Sequence, residues 1–307
     1  MMRLYVTEEA EGDRIDRFLA DRCEDLSRSF LQKLFKSGEI LVDGRPVKAS
    51  YRVSEGEEAV FEVPEAVLPE IAAEDIPLDI LYEDEDVIVV NKPKGMVVHP
   101  AAGHYTGTLV NALMYHCRED LSGINGVLRP GIVHRIDMDT TGAIIACKND
   151  LAHASIAAQL KEHTITRRYE AIVCGVLKDD TGTIDAPIGR SQKDRKKMAV
   201  LASGGREAVT HYRVLNRFRE YTHIECRLET GRTHQIRVHM KSIGHPLLGD
   251  FLYYPESLHL LGRQALHSFR LSFAHPVTGE RLTFTEPLPE DIRKLFPGLP
   301  PALLDTL

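Results

Sequence analysis

Tryptophan is absent from the 307 residues, and cysteine is scarce. The five cysteines are widely separated: Cys23, Cys117, Cys147, Cys174 and Cys226. An odd number of cysteines without a C-x-x-C pair argues against a disulfide framework and against a zinc ribbon. No uncharged apolar run approaches the roughly 18 residues that a membrane span requires. No apolar stretch separates Met1 from Glu8, so we expect a cytoplasmic protein with no secretory signal and no membrane contact.

An excess of positive charge is also missing, since 38 Lys and Arg residues face 45 Asp and Glu residues, for a net charge of −7. Such a balance disfavours a polyanionic partner for the chain as a whole. Residues 26–53 reverse it locally, with six basic and two acidic side chains. A solvated helix face and a phosphate-binding surface both explain this segment, and residue types alone leave the two open.

The local structure of this basic segment is clear from its pattern. Ser27 is a candidate N-cap for a helix that would end at Gly38. Leu31, Leu34 and their apolar neighbours form one stripe, with basic residues on the opposite face. A short strand over 40–42 and an Asp-Gly turn at 43–44 then predict a hairpin.

The rest of the chain predicts a linker followed by mixed strands and helices. We expect domains at 1–62 and 77–307, joined by the proline-containing, acidic segment 63–76. The predicted strands cover 87–90, 143–147, 166–175 and 222–228, the last of them half-buried because its polar and apolar residues alternate. The predicted helices cover 109–115, 151–160 with Asn149 or Asp150 as the cap, and 233–244 with Thr233 as the N-cap.

Residues 130–142 bring together groups that can do chemistry: two carboxylates, a histidine, an arginine and two threonines. Asp137 is the candidate nucleophile or general base, and its charge among apolar neighbours would need a cation or hydrogen-bond donors. A turn in which Asp and Thr side chains bond their own backbone is the simpler alternative.

The predicted helix near the C-terminal third carries a second polar cluster. His234, Arg237 and Lys241 share one stripe of it, and Arg237 lies near its N-terminal turn, where an anion such as ionised Asp137 is favoured. His234 and His239 point about 140° apart around a helix and cannot easily ligate one metal, so we expect no metal site. An ordinary surface cation is the alternative for Arg237.

Two further segments could contact a base or a phosphate. Tyr169 lies on a predicted strand, where a tyrosine can stack on a base or move a proton, although a lone tyrosine is often simply part of a core. Residues 189–197 hold five basic residues and one acid, which fits contacts with backbone phosphates as well as a solvated loop.

Taken together, these segments resemble the RluA-type pseudouridine synthases, and more narrowly their RluD-like branch. Residues 14–53 look like the small RNA-binding module named after ribosomal small-subunit protein S-four. Residues 82–99, 134–142 and 231–239 look like three family motifs in family order. The resemblance implies an α+β catalytic domain with a mixed, mainly antiparallel central sheet and flanking helices, preceded by a small α/β RNA-binding domain.

The resemblance also implies roles for individual residues. The catalytic residues would be Asp137, Tyr169 and Arg237, and Arg135 would fill the space left by a flipped base. The further substrate-binding residues would be His134, Arg232, His234 and Gln235. RNA would contact a set of basic residues: Arg28, Lys33, Lys36, Arg190, Arg195, Lys196 and Lys197. Ile136 departs from the leucine that is usual in the family, which is a conservative apolar change.

The implied reaction isomerises uridine in RNA without a cofactor or a metal. The C1′–N1 bond breaks, the uracil turns, and C1′ rejoins at C5 of a nucleotide flipped out of its helix. Asp137 would act as nucleophile or as base, and the sequence does not choose between these routes. The expected partner of this monomer is large-subunit ribosomal RNA or its pre-ribosomal particle.

Two other classes of protein compete with this interpretation. Asp137, Asp139 and Thr141 have the D-x-D-x-T spacing of phosphotransferases that form an aspartyl phosphate and need Mg²⁺. A non-catalytic RNA-binding or assembly protein is the second alternative. A glycosidase is weaker, because Asp137 and Asp139 on one strand face cannot oppose each other across a sugar.

Overall fold

The chain divides into two units, Met1–Leu68 and Pro69–Leu307, and each buries its own core. The computed structural model describes residues 2–23, 28–62, 71–101, 103–118, 120–124 and 129–299, without the side chains of 28–30. The predicted cap Ser27, the side chain of Arg28 and most of the predicted linker (63–70) therefore lie outside the described residues. Residues 71–76, which the sequence predicted to belong to the linker, are part of the second unit, where the Asn111 amide donates to the carbonyl of Ala72 at 2.8 Å.

The first unit places two helices on a small antiparallel sheet of order β1-β4-β2-β3. Its elements are β1 (Met2–Tyr5), α1 (Ile15–Arg22), α2 (Arg28–Ser37), β2 (Leu41–Val42), β3 (Arg45–Pro46) and β4 (Glu58–Phe61). Leu31 and Leu34 of α2 pack with Phe18 of α1 in the core. Gly38 takes a positive φ after α2, and Asp43 and Gly44 both take positive φ between β2 and β3. The predicted helix end and the predicted hairpin are thus confirmed.

The second unit is larger and mixes strands with helices. Its strands are β5 (Ile80–Glu83), β6 (Val87–Lys92), β7 (Thr141–Cys147), β8 (Thr166–Cys174), β9 (Thr181–Asp185), β10 (Ile188–Arg190), β11 (Met198–Val200), β12 (Val209–Arg217), β13 (Tyr221–Leu228), β14 (Leu266–Ala274) and β15 (Arg281–Thr285). Its helices are α3 (Leu109–Cys117), α4 (Asp150–Lys161), α5 (Gln235–Ser242), α6 (Leu258–Leu261) and α7 (Glu290–Leu295), besides single 3-10 turns.

Nine of these strands form one sheet of order β5-β6-β7-β14-β8-β13-β12-β9, with β15 paired to β14. Every pair is antiparallel except β7 with β14. β10 and β11 form a separate hairpin. The mixed, mainly antiparallel sheet with flanking helices that the sequence predicts is therefore confirmed.

The centre of this sheet is buried on both faces. Ile88 and Val90 of β6 pack in the same core as Leu109 and Leu113 of α3. The alternate residues of β6 and β7 pack with Ile156 of α4 on the other face. Both helices begin at a side-chain cap, since Thr108 accepts from the backbone N–H of residue 111 and Asn149 from that of residue 152. Asn149, rather than Asp150, is thus the cap of α4.

The half-burial predicted for residues 222–228 is wrong, although the strand itself is present. His223 and Glu225 are buried on the face predicted to be exposed, although Arg227 farther along that face is exposed. His223 Nε2 lies 2.8 Å from a Glu170 oxygen, and Glu225 accepts hydrogen bonds from Arg168 and Arg213. Paired polar groups can be buried in such positions.

Within the described ranges, no helix is long and apolar enough to cross a membrane.

Candidate active site

The loop that carries Asp137 is held in place by two buried basic side chains. Lys92, at the end of β6, donates through Nζ to the carbonyls of Pro93, Met96 and Met138 at 2.8 Å each. The guanidinium of Arg263 donates to the carbonyl of Asp139 at 3.2 Å. Residues 137–140 also close a turn, with the N–H of residue 140 bonded to the carbonyl of residue 137. The Asp137 carboxylate therefore projects from a fixed backbone.

Arg237, on the first turn of α5, bridges two carboxylates. Its Nη1 donates to Asp137 at 2.9 Å, while Nε and Nη2 donate to the two oxygens of Asp250 at 2.7 and 2.8 Å. The Arg237 side chain is 3% exposed, that of Asp250 is fully buried, and that of Asp137 keeps 16% exposure. Burial alone disfavours the guanidinium charge, but Asp250 and Asp137 together raise the pKa of Arg237 above its ordinary value. The guanidinium stays charged and fixes one oxygen of the Asp137 carboxylate. The Asp137 side chain still lines the pocket.

The start of α5 differs from the sequence prediction. His234, not Thr233, is the N-cap, and it adopts a left-handed conformation with φ 57°. Its Nδ1 lies 2.9 Å from the hydroxyl of Tyr253. The Gln235 side chain, rather than a threonine hydroxyl, closes the first turn, because its Oε1 accepts from the backbone N–H of Arg232 at 2.9 Å. The predicted end at Gly244 is confirmed, with φ 86° and the paired bonds of a Schellman motif.

Tyr169 lies on β8 with its side chain on the same face as Ala171 and Val173. The residue is 5% exposed and lines the pocket that contains Asp137. Burial and the negative charge of Asp137 raise the pKa of Tyr169 above its ordinary value. Its hydroxyl therefore carries its proton at neutral pH and can donate a hydrogen bond.

One pocket gathers most of the residues that the sequence predicts to be catalytic or to bind the substrate. It is lined by Arg135, Asp137, Tyr169, Arg232, His234, Gln235 and Arg237. The Gln235 amide is fully engaged, donating to the carbonyl of Val209 and the hydroxyl of Thr210 as well as accepting from the Thr230 hydroxyl. His134 lines a neighbouring cavity instead, and its Nε2 accepts from the backbone N–H of Ile145 at 3.2 Å.

The basic residues predicted to contact RNA lie elsewhere. Lys33 and Lys36 are exposed on α2 in the first unit. The basic residues of 190–197 lie on the β10–β11 hairpin, where Nη1 of Arg190 donates to the carbonyl of Arg195 at 2.6 Å. Lys196 and Lys197 complete this hairpin, and none of the four lines the pocket of Asp137.

Asp250, Lys92 and Arg263 are not among the site residues predicted from the sequence. Asp250 follows the turn after α5, a position that no motif spacing connects with Arg237. A signal was present in the pair Gly249-Asp250 after the apolar Leu247 and Leu248, since a carboxylate at the end of an apolar run needs a buried partner. Lys92, at the end of the four-residue apolar run of β6, carries the same signal.

Within the described residues, one group of side chains has the spacing to hold a metal ion: Asp84, Asp86 and His275. Asp84 already accepts four hydrogen bonds, from Tyr82, His275 and two backbone N–H groups. None of the three residues lines the pocket of Asp137. The hydrogen bond between Asp84 and His275 joins the β5–β6 turn to the residue that follows β14, which accounts for this group without a metal ion.

A mixed sheet whose pocket holds a carboxylate, an arginine and a buried tyrosine, in a chain whose first unit is a small helix-and-sheet fold with a basic helix face, is an arrangement that suits an RNA-modifying enzyme. The sequence profile described as RNA pseudouridylate synthase matches residues 86–242, and that of the S4 domain matches residues 13–58. The chain belongs to the RNA pseudouridine synthase family, whose members are isomerases acting on RNA. The phosphotransferase alternative is therefore wrong.

Similar proteins span nearly the whole chain. A Bacillus subtilis protein named uncharacterized RNA pseudouridine synthase YlyB is 55% identical over 296 residues, covering 96% of this chain and 97% of the relative. The ribosomal large subunit pseudouridine synthase D of Zymomonas mobilis is 48% identical, covering 96% of each chain. The Pseudomonas aeruginosa protein of the same name is 47% identical, covering 92% of this chain and 91% of the relative.

A solved structure shares the fold at lower identity. The human RNA pseudouridylate synthase domain containing 1 superposes with a TM-score of 0.59 at 26% identity, covering 76% of this chain and 93% of the human one. This likeness agrees with the central mixed sheet described above.

Proposed function

We propose that the protein converts specific uridines of large-subunit ribosomal RNA to pseudouridine, with Asp137, Tyr169 and Arg237 as its catalytic residues. The observation that carries the proposal is the Asp137 carboxylate, held by Arg237 at 2.9 Å in a pocket that Tyr169 also lines. Relatives named ribosomal large subunit pseudouridine synthase D, at 48% and 47% identity, support the choice of RNA.

The proposed reaction balances without a co-reactant. The C1′–N1 bond of the target uridine breaks, the uracil turns, and C1′ bonds to C5. The proton that leaves C5 is matched by the one that N1 gains. Asp137 acts as nucleophile at C1′ or as base at the ribose, and the fixed guanidinium of Arg237 stabilises its negative charge in either route. Tyr169 stacks on the uracil and moves a proton once C5 is attached to C1′.

The target must leave its RNA helix before Asp137 can reach the ribose. Flipping costs a few kcal/mol, which contacts between basic residues and the RNA offset. Arg135 is exposed at the mouth of the pocket, where it fills the gap left by the base. His134, Arg232, His234 and Gln235 shape the surrounding walls.

The proposed protein has two domains and acts alone. An RNA-binding domain at 1–62 and a catalytic domain at 77–307, joined by 63–76, are supported by the division of the chain between Leu68 and Pro69. The protein acts as a monomer in the cytoplasm, on free ribosomal RNA or on its pre-ribosomal particle.

The decisive experiment compares the wild type with Asp137→Asn on large-subunit ribosomal RNA transcribed without modifications, with EDTA present. Chemical mapping of pseudouridine then identifies each modified uridine. We expect signal from the wild type alone, with both proteins binding the RNA equally well. Asp180→Asn, which changes an exposed carboxylate outside the pocket, is the matched control and retains full turnover.

Normal turnover by Asp137→Asn would exclude this aspartate as the catalytic group. If neither protein gives signal on the transcript, the same comparison is made on pre-ribosomal particles. A second absence of signal would favour the non-catalytic RNA-binding alternative.

The contribution of the first unit is tested at its exposed helix α2. If Lys33 and Lys36 contact phosphates, replacing both by alanine weakens RNA binding and lowers the slope of log affinity against log salt by about 1 per residue. Filter binding over a salt series measures both quantities. An unchanged slope would remove α2 from the RNA-binding surface.

A further inference from the structure

A second cavity adjoins the pocket of Asp137. Its volume is about 520 Å³, within the range of sites that hold a small ligand. The two spaces share Arg135, Arg167, Gly231 and Arg232 as a common wall. A polymeric ligand that occupies the Asp137 pocket and crosses this wall would therefore enter the second cavity directly.

The lining of this cavity is strongly basic. Arg129, Arg135, Lys161, Arg167 and Arg232 all border it. In the part of the chain that the structure describes, none of these five forms an ion pair with a carboxylate. The lining contains one acidic residue, Glu229, and its carboxylate already accepts from His211 at 2.6 Å. Cations this close together repel one another unless an anion lies between them.

Three of the residues that line the same cavity have a buried polar atom without a partner among the described residues. The Nε of Arg167 and the Nδ1 atoms of His99 and His134 are buried and have no hydrogen-bond partner among the described residues. Because His134 accepts through Nε2 from the N–H of Ile145, its Nδ1 carries the proton and is a donor. His99 is 5% exposed, and burial together with the charges of Arg135 and Arg129 lowers its pKa to about 4. Buried polar groups usually have a partner, so the wall that these residues form is polar and incompletely satisfied among the described residues.

We infer that this cavity binds the nucleotide next to the target uridine, with its phosphodiester held by Arg129 and Lys161. The inference rests on the proposed function and extends it, because it assigns a binding site to residues outside the pocket of Asp137. Arg167 and Arg232, in the common wall, lie between the two nucleotides.

The test uses the full chain with Arg129→Ala and Lys161→Ala combined. Both side chains are exposed, and neither lines the Asp137 pocket. Lys178→Ala is the matched control, since Lys178 is exposed on the same unit and lines neither space. The probe is large-subunit ribosomal RNA transcribed without modifications, and its affinity is measured by filter binding over a salt series.

We expect the double variant to bind roughly tenfold more weakly than the wild type, with a salt slope lower by about 1 to 2. In single-turnover pseudouridine formation, the RNA concentration for half-maximal rate should rise by a similar factor. The maximal rate should stay within about twofold, because the groups around Asp137 are untouched. Binding and salt slope equal to those of Lys178→Ala, or a lower maximal rate with unchanged affinity, would overturn the inference.

The phosphate is identified with stem-loop RNAs that contain a uridine modified by the wild type. Each carries one uncharged methylphosphonate at a linkage beside that uridine. At one linkage the replacement should weaken wild-type binding roughly tenfold while adding nothing to the defect of the double variant. Additive losses at every linkage would contradict the assignment. If the wild type modifies no uridine, the proposed function fails, while the affinity and salt slope still decide whether the cavity binds RNA.

Discussion

At the scale of single residues, the central feature is one guanidinium shared by two carboxylates. Asp250 takes both Nε and Nη2 of Arg237, and this leaves Nη1 for Asp137. Asp250 also accepts from the backbone N–H groups of residues 252 and 253 at 3.0 Å, so it is itself fixed. Asp250 therefore sets the orientation of Arg237, and Arg237 sets the position of the Asp137 carboxylate.

We predict that Asp250→Asn lowers the maximal rate of pseudouridine formation on the order of 100-fold, because a misplaced carboxylate forfeits most of the advantage of orientation. RNA affinity should change little, since Asp250 is fully buried and has no access to the RNA. Single-turnover kinetics with saturating RNA measure the rate, and filter binding measures the affinity. Far-ultraviolet circular dichroism confirms that the variant is folded.

Asp180→Asn is again the control, because its ion pair with Arg217 is largely exposed. A wild-type rate for folded Asp250→Asn would show that Arg237 is oriented without Asp250. A parallel loss of affinity and rate would instead indicate that the whole pocket has collapsed.

At the scale of helices and strands, the sequence predicted those elements whose pattern has a single physical cause. The apolar stripe of α2, the Asp-Gly turn after β2 and the side-chain cap of α4 all appear where the pattern indicates. Local rules suffice there because capping groups and turn residues act on their own neighbours.

The errors have tertiary causes. Alternation in β13 predicted one exposed face, but His223 and Glu225 on that face are buried and have partners on the neighbouring strand β8. Thr233 is a good cap by residue type, yet the Tyr253 hydroxyl holds His234 in the left-handed region instead. Asp137, Tyr169 and Arg237 were singled out because motifs mark them, whereas Asp250 is defined by its contact with Arg237.

One element-scale prediction concerns the parallel pairing of β7 and β14. Gly142 has φ 109°, and a Cβ there would collide with the backbone of Ser268. We expect Gly142→Ala to lower the free energy of unfolding by about 3 kcal/mol or more, since a positive φ alone costs an alanine roughly 1 to 2 kcal/mol and the collision adds to it. Urea unfolding measures the difference.

Gly279→Ala separates these two contributions. Gly279 has φ 72° in the β14–β15 turn, and an added Cβ meets nothing within 4 Å. Its alanine variant should therefore lose only the roughly 1 to 2 kcal/mol of the backbone conformation. Equal losses at both positions would mean that β7 and β14 move apart at little cost.

At the scale of the whole molecule, the net charge of −7 does not describe how the ionisable side chains are distributed. Exposed cations lie on α2 and around the second cavity, while several histidines are buried without charge. Burial lowers the pKa of His267 to about 4, and the residue is 1% exposed. Its Nδ1 lies 2.8 Å from the Thr141 hydroxyl and its Nε2 lies 3.2 Å from the carbonyl of Glu286. The interior of the catalytic unit therefore depends on neutral imidazoles.

This dependence predicts how stability changes with pH. Because the folded pKa of His267 lies near 4, below its ordinary value of 6.5, the unfolded chain binds more protons between these two values. The contribution of His267 to the free energy of unfolding should thus be constant above pH 6.5. It should fall as the pH drops from 6.5 towards 4. Each such histidine contributes up to about 1.4 kcal/mol per pH unit. The pKa values of the Asp84 and Asp291 carboxylates are lowered from 3.8 to about 2, so their protonation reduces the free energy of unfolding mainly below about pH 4.

Replacing His267 by glutamine isolates its share of this fall. The substitution lowers stability at neutral pH by removing buried contacts, but it should also reduce the slope between about pH 6 and pH 4.5 by up to about 1.4 kcal/mol per pH unit. Urea unfolding at a series of pH values gives the slope independently of the offset. His259→Gln, at an exposed position, should leave the slope unchanged. A slope that His267→Gln does not alter would mean that the imidazole is protonated in the folded state, with the hydroxyl of Thr141 and the carbonyl of Glu286 both accepting from it.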